Sequence, residues 1–119
     1  MIDCPVCKTK LEAAHLHCRG CNLKVEGHFR FPRLMRLKDE HIRLAEAFVL
    51  SGGNLKALAQ ELDISYPTLR KRIDEMVEAL RVLRAEDDEA ALAILKEIEG
   101  GKLSAEEGTR RIKEMNGEL

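Results

Sequence analysis

Three features of this 119-residue sequence predict a mainly α fold with a small β segment at its front. The apolar residues are chiefly aliphatic: 45% of the chain is hydrophobic, yet it holds no Trp, one Tyr and three Phe. A core built from Leu, Ile, Val and Ala favours helices. All four cysteines fall within the first 21 residues, as two Cys-x-x-Cys pairs. At Asp39 the period of the apolar residues changes from two to about 3.6.

The cysteine pairs, Cys4 with Cys7 and Cys18 with Cys21, are separated by ten residues. A Cys-x-x-Cys turn puts two sulfurs on one side of a tight knuckle whose amides can bond thiolates, and two facing knuckles complete a tetrahedron around a divalent ion. Zinc fits this donor set best, as one closed structural ion with no position left for catalytic water. Iron in a rubredoxin-like site uses the same ligands, and spacing alone does not separate the two. Disulfides are disfavoured because the sequence shows no export signal, and thioredoxin-like chemistry would need a single pair in a βα context.

"LEAAHLHC" and "NLKVEGHFRF" alternate apolar and polar residues as short strands, with Gly20 and Gly27 as turns. Together with the knuckles they read as a zinc ribbon over residues 1–38, a segment short enough that the metal would supply its folding energy. His15, His17 and His28 are read as strand surface residues rather than ligands.

The next segment, 39–85, reads as three helices. In the first, Ile42, Ala45, Phe48 and Val49 share a face, and Gly52-Gly53 ends it. Asn54 caps a short second helix with Leu55, Leu58, Ala59 and Leu62 inside. Ser65 caps the third, with Pro67 tolerated in its first turn and Leu69, Ile73, Met76, Val77 and Leu80 on one side. A short helix, a tight turn and a helix opening "SYPTLRKRI" is the layout of a helix-turn-helix, which docks the N-terminal end of its second helix in the major groove. Ser65, Tyr66, Thr68, Arg70, Lys71 and Arg72 supply hydroxyls and cations suited to base edges and phosphates. Lys71 points opposite the apolar face, whereas Asp74, Glu75 and Glu78 one turn later would repel phosphates.

Charge follows the same order. Residues 1–38 carry eight Lys/Arg against three Asp/Glu, net +5; residues 39–85 net −1; residues 86–119 five against ten, net −5. This gradient places a nucleic-acid contact nearer the front, with Arg30, Arg33 and Arg36 assisting.

"SGGNLKALAQELDISYPTLRKRI" resembles the helix-turn-helix of the Fis and NtrC type, where a Gly-Gly-Asn or similar opening precedes the first helix. Residues 1–85, "CPVC" and "CRGC" followed by "FRFPRLMRL" and this helix-turn-helix, resemble the prokaryotic family labelled domain of unknown function 2089. The resemblance implies a zinc ribbon joined to a DNA-binding module and a role in transcriptional regulation. Asp63 departs from the pattern, standing where the turn commonly has Gly; Asp visits the left-handed region more readily than most residues.

In the tail, residues 86–119, Ala91, Leu92, Leu95 and Ile98 mark a separate helix over 87–99, closed by Gly100-Gly101. Ser104 and Glu107 form a capping box for a last helix through Met115. "ILKEIEGGKLSAEEG" resembles the C-terminal hairpins called SHOCT-like, which implies oligomerisation through Leu92, Leu95, Ile98, Leu103, Ile112 and Met115. A lid that completes the protomer's own core is the alternative for this hairpin.

The expected function is a DNA-binding transcriptional regulator that binds double-stranded DNA; a homodimer would suit paired half-sites, but the sequence leaves the oligomeric state open. The alternative is an adaptor that binds a protein partner through ribbon and helices. No catalytic constellation is visible, so the chain is read as not an enzyme. With no apolar run of spanning length and no secretory signal, it is expected in the cytoplasm and off the membrane.

Overall fold

The structure is a computed structural model that describes residues 3–116. Its elements are β1 (Ala13–His17), β2 (Lys24–Phe29), a 3-10 turn (Arg33–Arg36), α1 (Asp39–Leu50), α2 (Leu55–Glu61), α3 (Tyr66–Glu99) and α4 (Ala105–Met115). They form two compact units, Arg33–Ala90 on the one hand and the described residues up to Pro32 with those from Ala91 onward on the other. The fold is mainly α, with one small sheet among the described residues. No helix is long and apolar enough to cross a membrane among the described residues.

β1 and β2 pair antiparallel, with His15 opposite Glu26, Leu16 opposite Val25 and His17 opposite Lys24. Between the Ala13–Phe29 pair and the next one, two steps on β1 face three on β2, so the extra residue falls at Gly27–His28. Both strands lie inside the stretches whose alternation announced them.

In the Arg33–Ala90 unit, Leu44, Leu58, Ala59, Leu69 and Ile73 are buried together, flanked by Ala47, Leu55, Ile64 and Met76. The second and third helices bury most of the faces expected of them, through Leu58, Ala59, Leu69 and Ile73, but Leu62 and Val77, also expected inside, are exposed at the edges. The first departs further: α1 buries Leu44, while Phe48 and Val49 are exposed. This helix carries two apolar stripes, Leu44 with Ala47 and Ile42 with Ala45 and Val49, and periodicity alone could not say which one meets the core.

α1, α2 and α3 end by one device, the Schellman motif, in which a residue with positive φ turns the chain out of the helix. At α1 Gly52 has φ 66°, and the Gly53 N–H donates to the Phe48 carbonyl at 3.1 Å. At α3 the same place is held by Gly101, φ 73°. At α2 it is held by Asp63, φ 52°, with Asp63 N–H donating to Gln60 O at 3.2 Å and Ile64 N–H to Ala59 O at 3.1 Å. The expected left-handed Asp is thus present, and the motif swings Ile64 back onto the core.

A break expected near residue 86 is absent, because α3 runs unbroken for 34 residues. Between Pro67 and Gly100 there is no Gly or Pro, and "VLRAEDDEAALAIL" consists mostly of good helix formers. Asp87, which could have capped a new helix, is buried and serves an ion cluster instead. It accepts hydrogen bonds from Arg33 Nε at 2.8 Å and Arg36 Nη2 at 2.5 Å.

The end of α3 and α4 form the hairpin read from the tail. Gly108 is buried at their crossing, where a Cβ would collide with Ile98 Cδ1 and stand 2.7 Å from Ile98 Cγ1. A helix-interior Gly costs about 1 kcal/mol against Ala, and the close approach of Ile98 is what requires it. Ser104 caps α4 by accepting the Glu107 N–H at 3.2 Å. The capping box stays half made, since the Glu107 carboxylate turns to Arg110 and Arg111.

Candidate metal centre and nucleic-acid interface

The two Cys-x-x-Cys loops are copies of each other in backbone detail. In the first, Lys8 N–H donates to Cys4 O at 3.0 Å, Cys4 N–H donates to Thr9 O at 2.8 Å, and Lys8 has φ 63°. In the second, Asn22 N–H donates to Cys18 O at 2.9 Å, Cys18 N–H donates to Leu23 O at 2.8 Å, and Asn22 has φ 60°. Each loop turns tightly enough to bring its own two sulfurs into mutual reach.

The thiol chemistry follows from those turns. Hydrogen bonds from Thr9, side chain first and then backbone, with a further one from Cys4, hold the Cys7 thiol below its ordinary range. Backbone amides of Cys21 and Gly20, together with the Cys21 thiol, do the same for Cys18. Donors aimed at sulfur favour the thiolate, which is the form that binds metal. This donor set fits zinc. The structure gathers the sulfurs as two pairs, and among the described residues no three His, Cys, Asp or Glu side chains are drawn into one cluster.

The histidines are engaged within the ribbon itself. His15 Nδ1 lies 3.5 Å from Glu26 Oε1 across the sheet, His17 Nε2 lies 3.3 Å from Asn22 Oδ1, and His28 Nδ1 lies 4.0 Å from Glu12 Oε2. All three are exposed surface residues, as expected of them.

The second candidate site is the start of α3. Ser65 caps it, accepting the Thr68 N–H at 3.3 Å and sharing a 2.8 Å hydrogen bond with the Thr68 hydroxyl. Leu69 and Ile73 pull one side of the helix into the core, which turns Thr68, Lys71 and Arg72 outward. Tyr66 stands between, 47% exposed. Arg70 pairs with Asp74 at 3.4 Å on an exposed flank, while among the described residues Lys71 and Arg72 make no ion pair.

Two residues not singled out from the sequence join this region. Lys56 and Gln60 of α2 line one open hollow with Asp63, Ser65 and Tyr66. Their i, i+4 spacing on the polar side of a short helix preceding the turn was the available signal.

Arg33 and Arg36, expected to assist at nucleic acid, are instead committed to Asp87. Burial raises the Asp87 carboxyl's pKa, but the hydrogen bonds and charges of Arg36 and Arg33 outweigh it and hold it below the usual carboxylate range. Arg30 remains exposed.

Comparison with known proteins bears on the segments that carry these two sites. No curated protein and no solved structure matches the chain. The family described as DUF2089 zinc ribbon matches residues 4–35, and the one described as Domain of unknown function (DUF2089)-HTH matches residues 37–83. Neither match extends over residues 84–119. With both parts matched in order over adjoining segments, the chain belongs to the domain of unknown function 2089 family, as a zinc ribbon followed by a helix-turn-helix.

Proposed function

We propose that this protein is a DNA-binding transcriptional regulator whose ribbon is a structural zinc module. The observation that carries the reading is the capped start of α3, which turns Thr68, Lys71 and Arg72 outward while Leu69 and Ile73 anchor the helix. Lys71 and Arg72 approach phosphates and guanine edges, Tyr66 and Thr68 lie beside them, and Ser65 fixes the first turn. Lys56 on α2 contacts the flanking backbone, as the first helix of such a pair does. Arg70, tied to Asp74, contributes less than its neighbours.

Cys4, Cys7, Cys18 and Cys21 hold one zinc ion in this reading. The metal supplies no reaction; it binds thiolates whose formation Thr9, Gly20 and Cys21 favour, and so fixes the two loops. No step requires the protein to be an enzyme. Paired half-sites on DNA suit a homodimer, and the exposed Leu92 and Leu95 offer apolar surface in the tail.

The acidic residues Glu75 and Glu78, which follow Lys71 along α3, favour the second reading of an adaptor for a protein partner. Fluorescence anisotropy of the zinc-loaded chain on duplex DNA separates the two. Binding should weaken steeply as salt rises, and Lys71→Ala or Arg72→Ala should each lower the salt slope by about one unit. No binding to any duplex of a random pool at low salt would sink the DNA reading.

A further inference from the structure

The first turn of α3 uses its hydroxyls on itself. Ser65 Oγ accepts the Thr68 N–H at 3.3 Å and lies 2.8 Å from Thr68 Oγ1. The two hydroxyls that the sequence offers for base edges therefore face each other across the helix start.

That pairing fixes what Thr68 can present. Its side chain is exposed, and a threonine Cβ carries two heavy atoms, one hydroxyl and one methyl, in staggered positions. With Oγ1 held back toward Ser65, the γ-methyl is the part of the side chain left to meet a partner.

The neighbours of Thr68 on the outward side leave it a distinct task. Lys71 and Arg72 supply cations only, which suit phosphates and the acceptors of guanine. Asp74, in the next turn, is paired with Arg70 at 3.4 Å. Thr68 is thus the one outward position of the first two turns that offers an apolar atom group to a base edge beside those cations. Among the four bases only thymine shows an apolar group in the major groove, its C5-methyl.

Resting on the DNA reading above, we infer that Thr68 is a specificity-determining residue that reads a thymine through its γ-methyl, while its hydroxyl belongs to the helix cap.

The test uses the full zinc-loaded chain and a duplex selected by it from a random pool. Each thymine of that duplex is replaced in turn by deoxyuridine, which removes the C5-methyl and nothing else, and binding is followed by anisotropy. One replacement should weaken binding about fourfold, the weight of one methyl-sized group taken out of water. Thr68→Ser, which keeps the hydroxyl and loses the methyl, should erase that difference. Thr68→Val, which keeps a methyl and loses the hydroxyl, should preserve it, and Ser65 Oγ still caps the residue 68 N–H in both variants. Unchanged helical circular dichroism checks that both variants fold.

The inference is overturned if no thymine of the selected duplex is sensitive to loss of its methyl, if the difference survives Thr68→Ser, or if Thr68→Val removes it. Each of these outcomes leaves DNA binding itself standing. A chain that binds no duplex at all overturns the DNA reading and this inference with it.

Discussion

The ribbon and the helical unit reach order by opposite means. Among residues 3–32 none is buried, so the ribbon has almost no apolar burial to draw on. Its order rests on the backbone bonds of two loops and on a sheet whose strands are five and six residues long. The Arg33–Ala90 unit buries Leu37, Leu44, Leu58, Ala59, Leu69 and Ile73 and adds one buried ion cluster. The difference teaches where each region is vulnerable: one to loss of a ligand, the other to a cavity or an orphaned charge.

The sharpest break in that contrast is removal of the metal. Cys18→Ser, or chelation of the wild type, should unfold the ribbon, since structural zinc contributes on the order of 10 kcal/mol or more to such a module. NMR dispersion from residues 3–32 should collapse while most ellipticity at the helical wavelength stays. A ribbon that keeps its dispersion without metal would contradict a metal-dependent fold.

A smaller effect should follow in the helical unit from Asp87→Asn, which leaves Arg33 and Arg36 beside a neutral amide. The expected loss is about 2–3 kcal/mol, less than for a fully buried pair because both arginines keep some water. Urea unfolding near neutral pH measures it. The sign with pH follows from the depressed carboxyl: its stabilisation is present above the unfolded value of about 3.9 and is lost as pH falls through the lower folded value. The wild type should therefore weaken in that acid window more than Asp87→Asn does.

The mildest change should stabilise. Asp63 holds a left-handed turn that Gly adopts freely, so Asp63→Gly should gain about 0.5 kcal/mol and raise the melting temperature by about 2–4 °C. A lowered midpoint would mean that the Asp63 side chain contributes something beyond its backbone.

Local chemistry was legible in the sequence, and distant pairing was not. The cysteine loops, both strands, the caps at Asn54, Ser65 and Ser104, and the faces of α2 and early α3 all follow from spacings of a few residues. Leu44 was missed because α1 has two apolar stripes of similar strength. The continuity of α3 was legible in a run of helix formers without Gly or Pro, although the sequence reading sets a break there all the same. The role of Asp87 was missed because its partners lie 54 and 51 residues away, and no local pattern announces them. The same pairing withdrew Arg33 and Arg36 from the expected nucleic-acid face. Nor does any spacing within α4 explain its Gly108, whose reason is Ile98 on the neighbouring helix.

The duplicated loops also bear on the order of assembly. Every matching feature, from Cys4 and Cys18 through Lys8 and Asn22 to Thr9 and Leu23, is displaced by the same number of residues along the chain. The match is one of backbone, since the Thr9 hydroxyl lies beside Cys7 in the first loop while Leu23 stands at its counterpart in the second, so an arriving ion would have two doors of like shape and unlike thiol surroundings. A lesion in one loop would shut one door and leave the other to make the first catch, turning a failure to capture into a failure to retain.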